Sequence, residues 1–90
     1  MKTTEKHAVA AYLSKALATG DTDKLLAALD KVIKAEGVSA IARAAGMGRE
    51  AVYKAIAAGN KPQFETVVKL FNAIGVRLTV KAITTTKGTP

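Results

Sequence analysis

The stretch IARAAGMGREAVYKAI, residues 41–56, decides the fold. It reads as two short helices joined by a turn too tight to be a flexible linker. A helix-turn-helix makes particular demands of such a stretch. Its first helix needs an apolar residue followed by a small one so that the two helices cross closely, and Ile41-Ala42 supplies them. The turn needs a residue at ease with positive φ, and Gly46 has no Cβ to object. An apolar residue must then plug the corner, which falls to Met47. The second helix must bury a pair one turn apart, and Val52 and Ile56 have that spacing, with Ala45 and Ala55 keeping the crossing tight.

Turning Val52 and Ile56 inward sends Arg49, Glu50, Tyr53, Lys54 and Ala57 outward. Arg49 and Tyr53 are four apart and share a stripe. In a DNA-binding helix-turn-helix the first turn of the second helix enters the major groove, which here brings Gly48, Arg49 and Glu50 to the bases. An arginine there can bond a guanine edge with two N–H groups, a contact worth about 1–3 kcal/mol of discrimination. Glu50 can accept from a cytosine amino group, or pair with Arg49 or Lys54 and orient them. Tyr53 suits a thymine methyl or a phosphate. Ser39, Lys54, Asn60 and Lys61 are placed for phosphates, which fix register without reading sequence. The plainer alternative is a helical hairpin with a solvated charged face.

Outward from this stretch the chain reads as helices. Val9, Tyr12, Leu13, Ala16 and Leu17 predict a first helix over about 5–18, stopped at Gly20. Asp21 or Thr22 caps a second, with Leu25, Leu26, Leu29, Val32 and Ile33 as its buried stripe and Gly37 at its end. The third covers about 38–45, capped by Gly37 or Ser39, and the fourth about 49–58. Pro62 leads a fifth, about 63–74, whose core face is Phe64, Val67, Val68, Phe71 and Ile74. Both phenylalanines read as core rather than as base-stacking platforms. Beyond Gly75 the period changes to two: Val76, Leu78, Val80 and Ala82 alternate with Arg77, Thr79 and Lys81. This predicts one strand, over about 76–83, with no second strand in the chain. The same strand of a second molecule, antiparallel across a two-fold axis, is the expected partner, so Val76, Leu78, Val80 and Ala82 are the candidate dimer interface. Residues 84–90 read as a disordered tail and 1–83 as one domain, with the helix-turn-helix over about 38–58. The expected class is mainly α, five helices and one C-terminal β-strand.

Composition agrees. Of 90 residues 49% are hydrophobic, 18 are alanine and 4% are aromatic, which favours closely packed helices. There is no cysteine, so disulfides and thiolate zinc sites are excluded and a reducing cytoplasm fits. No apolar run reaches the ~20 residues of a membrane span, and no signal-peptide pattern opens the chain. The net charge of +7 is uneven. Residues 1–38 hold 6 basic and 5 acidic groups; residues 39–90 hold 8 basic and 2 acidic groups. The positive field therefore lies in the half with the tight bend, where it attracts phosphate.

The run GVSAIARAAGMGREAVYKAIAAGNKPQFETVVKLFNAIGVRLTV resembles the lambda-repressor-like antidote proteins of toxin–antitoxin addiction modules, the HigA-like kind often found in prophage regions. The upstream AAYLSKALATGD and LLAALDKVIKAEG resemble the leading part of that family, so the likeness covers about residues 12–81. GREAVYKA and PQFETVVKLFNAIG are its most specific pieces. The resemblance implies a homodimer that binds double-stranded operator DNA and represses its own operon. It also implies a small toxin partner, commonly an RNase, that the antidote neutralises. By position it assigns Arg49, Glu50, Tyr53 and Lys54 to the DNA face and Asn60 and Lys61 to the loop after it.

A stand-alone prophage regulator without a toxin shares the fold and the DNA contacts, and the neighbouring gene separates the two. A protein-interaction module with a basic face is a third reading, separated by salt-dependent binding to duplex DNA. An enzyme is not expected. His7 is the one histidine, and Asp21, Asp23 and Asp30 read as caps and solvated groups. No metal and no cofactor is expected.

Overall fold

The structure, a computed structural model, describes residues 3–83. The tail expected to be disordered, 84–90, lies outside the described residues. Five helices follow one another: α1 (Thr3–Ala18), α2 (Thr22–Glu36), α3 (Val38–Ala45), α4 (Arg49–Ala55) and α5 (Phe64–Ile74). None of the described helices is long and apolar enough to cross a membrane.

Local chemistry sets their ends. The Asp21 carboxylate accepts from the backbone N–H groups of Asp23 at 2.9 Å and Lys24 at 3.3 Å, which caps α2. Gly37 ends α2 and opens α3 in one residue, so Ser39 lies inside α3 and is not its cap. Gly46 is left-handed, φ 71° and ψ 32°. Its N–H donates to the Arg43 carbonyl at 3.2 Å, and the Met47 N–H reaches back to Ala42 at 2.9 Å. This double closure satisfies carbonyls that the helix end leaves over, and it drops Met47 onto the core. The same pair of bonds recurs at the end of α5: the Gly75 N–H to Asn72 at 3.0 Å and the Val76 N–H to Phe71 at 3.1 Å.

One contiguous cluster of buried side chains holds the helices together, with Leu13, Leu29, Ile33, Val52 and Leu70 its most enclosed large members. α2 packs on α1 and α3, and α3 packs on α4 and α5. Among the described residues no polar side chain is buried. Apolar burial and helix capping thus account for the fold without a buried polar network.

Four expectations are corrected. α4 ends at Ala55 and does not reach 58, because the Asn60 side-chain amide donates to the Lys54 and Ala55 carbonyls, at 2.8 and 3.4 Å, and folds the chain back. In α1 only Leu13 of the expected stripe is buried; Val9 and Ala16 are half-buried, while Tyr12 and Leu17 are 42% and 40% exposed. Here α2 covers one line along α1, and the flanks of the stripe stay open. Phe64 is 75% exposed, not core. It is the first residue of α5, a full turn ahead of Val67 and Val68. Finally, no strand is present among the described residues. Residues 76–83 run without helix, turn or bend. A strand exists only through bonds to a neighbour, and the described residues offer the segment none. The alternation itself is real at its start: Val76 and Leu78 pack against the core while Arg77 and Thr79 are exposed. Val80, Ala82 and Ile83 then project outward, Val80 at 97% exposure.

Candidate nucleic-acid interface

α4 is short, and two side chains fix its rotation. Val52 is wholly buried and Ile56, which follows the last helical residue, is nearly so. Ile41 and Ala42 of α3 are buried in the same cluster, and α3 packs on α4. The expected crossing is therefore present, with Gly46 at the corner, Met47 half-buried beneath it and Ala55 buried at the crossing. Arg49, Glu50, Tyr53 and Lys54 all lie on the exposed side.

Electrostatically this side is unneutralised. The ion pairs among the described residues are Asp30–Lys34 at 3.1 Å and Glu65–Lys69 at 3.7 Å, each within one helix turn on the surface. Glu50 pairs with neither Arg49 nor Lys54. Its carboxylate is open to a donor from outside, and both cations keep their charge for an external anion. Tyr53 leans to one edge. It borders a hollow shared with Asp23, Leu26 and Asp30 of α2 and is 43% exposed, so it is part-sheltered.

The other named residues are less uniform. Gly48 opens α4 with φ −77° and contributes no side chain, and no side chain caps the helix there. Lys61 is exposed in the loop after α4. Asn60 is half-buried and already donates its amide to the end of α4, leaving only its carbonyl oxygen for another partner. Ser39 is exposed on α3, and Arg43 is exposed one turn further along the same helix. The sequence reading passed over Arg43, although its four-residue spacing from Ser39 could have found it. Of the residues named for the dimer interface, Val76 and Leu78 are half-buried against their own core, and Val80 and Ala82 are exposed.

A five-helix protein with a close-packed α3–α4 bend and an uncompensated basic edge on α4 belongs to a broad structural class. The sequence places it more narrowly. A family model described as "Probable addiction module antidote protein" matches residues 2–82, and the chain belongs to that family. A protein of Haemophilus influenzae described only as uncharacterized is 33% identical over 78 residues, covering 87% of this chain and 80% of that one. No solved structure matches.

Proposed function

We propose that this protein is the antidote of a type II toxin–antitoxin module, a helix-turn-helix repressor that binds its own operator as a two-fold dimer and neutralises a small toxin of the RNase type in the cytoplasm. It acts by binding and not by catalysis. The observation that carries the DNA reading is the burial of Val52 and Ile56, which holds Arg49 and Lys54 outward with no carboxylate paired to either. Arg49 reads a guanine edge from the first turn of α4, and Tyr53 meets the strand beside it. Lys54, Lys61, Ser39 and Arg43 hold phosphates on either side, and the Asn60 oxygen receives a bond only through water. Family membership favours a toxin partner over a stand-alone regulator.

The test is operator binding on a footprinted promoter fragment. Arg49→Ala is expected to lower affinity by about tenfold or more and to relax preference at one base-pair position. Lys61→Ala is expected to weaken all duplexes alike. An Arg49→Ala protein that keeps both affinity and preference would remove α4 from the bases.

A further inference from the structure

A groove of about 420 Å³ runs between α1 and the segment after α5. Leu13, Leu17 and Ala18 form one wall, Phe71 the floor, and Val76 and Leu78 the other wall. Its lining is mostly apolar, with Ser14, Arg77, Thr79 and Lys81 at its edges; it is open, and Leu17 is 40% exposed. Within the same segment, between Thr79 and Lys81, Val80 projects almost entirely into solvent. The structure thus holds an unfilled apolar groove and an unburied apolar side chain on one short stretch. They do not meet within one molecule: Thr79 and Lys81 line the groove, whereas Val80 between them points away from it at 97% exposure.

We infer that the occupant is Val80 of a second copy, delivered by antiparallel pairing of residues 76–82 centred on Thr79. The inference rests on the dimeric reading above and specifies its geometry. Residues directly opposite in an antiparallel pair point to the same face. Val76 and Leu78 face the core, so the residues opposite them face it too. Pairing centred on Thr79 sets Val80 of one copy opposite Leu78 of the other, and Ala82 opposite Val76. Each core-packed residue then meets a projecting one. Centring on Leu78 would instead stack the two packed residues, and with them the two bodies, on each other. Centring on Val80 would leave Val76 opposite a residue outside the segment. The Thr79 register also supplies partners for backbone groups of 77–82, none of which bonds to another backbone group among the described residues. Leu17 and Leu13 of α1 thereby become part of the association surface, a role that the period-two pattern alone does not give them.

The chain has no cysteine, so single cysteines report cleanly. Under mild oxidation Thr79→Cys is expected to cross-link to itself. Arg77→Cys and Lys81→Cys are expected to cross-link to each other when mixed, and far less to themselves. Val80→Lys, at a site exposed in the single chain, is expected to keep the helical content and thermal unfolding of the parent and to raise the dimer dissociation constant by at least about tenfold. Leu17→Lys is expected to do the same. A dimer whose cross-linking peaks at another position, or that tolerates Val80→Lys, overturns the register and the groove while leaving dimerisation standing. A parent protein that sediments as a monomer at every concentration overturns both.

Discussion

At the scale of single residues, the two glycines of the bend look alike in sequence and differ in the structure. Gly46 sits at φ 71°, a conformation that a side chain disfavours by roughly 1–2 kcal/mol. Gly48 sits at φ −77° and ψ 155°, open to any residue, at the N-cap of α4. A Cβ at either position meets nothing within 4 Å, so crowding plays no part and the backbone alone decides. The same substitution should therefore act in opposite directions. Gly46→Ser is expected to lose about 1–2 kcal/mol in urea unfolding. Gly48→Ser is expected to gain about 0.5–1 kcal/mol, since it removes unfolded-state freedom and adds a capping oxygen. Equal effects would mean that the bend is not the left-handed closure described above. Because Gly48 also borders the proposed base-reading turn, a Gly48→Ser protein that is more stable yet binds the operator poorly would separate folding from recognition at one position.

At the scale of elements, α5 shows where a periodic pattern holds and where it stops. Phe71 and Ile74 are buried and Val67 and Val68 are half-buried, but Phe64, at the start of the helix, is exposed. Phe71→Ala is expected to cost about 3–5 kcal/mol and Phe64→Ala less than about 0.5 kcal/mol, measured by denaturant unfolding. Comparable losses for the two would place Phe64 in the core. α2, α3 and the rotation of α4 were legible from sequence because apolar spacing and end chemistry agree there: Asp21 caps, Gly37 and Gly46 stop, and Val52 and Ile56 point one way. α1 was only half legible. Its spacing marks Leu13 correctly, but how wide a stripe is covered depends on how many helices pack against it, and spacing carries no such information. The fate of Asn60 was hidden for a similar reason. Its amide bonds carbonyls five and six residues back, and only the folded path of the loop brings them within reach. Residues 76–83 alternate only at their start, and the strand expected there, paired with a second molecule, is not present among the described residues, since pairing is a property of two segments.

At the scale of the whole molecule, charge is the organising quantity. Arg43, Arg49, Lys54 and Lys61 all belong to the α3–α4 side and are all exposed, whereas the acidic groups of the first 38 residues balance their basic neighbours. If Arg43, Lys54 and Lys61 of each protomer neutralise a phosphate, a dimer releases about six counterions, and the logarithm of the binding constant should fall against the logarithm of salt with a slope of about −5. Between 50 and 200 mM salt that is about a thousandfold. A slope near −1, measured by titrating duplex DNA at several salt concentrations, would show that this face does not carry the backbone contacts.

The way α1 is attached has its own outcome. Among the described residues, Leu13 is the one side chain of this helix that is sealed from water, whereas α2 and α5 each commit several. A helix held by one buried side chain and the half-buried Val9 and Ala16 loosens before the body it rests on. The front of the chain is thus the first part a protease can grip, and whatever settles over Leu17 acts as a latch on it, so that association and the lifetime of the N-terminal amides rise together.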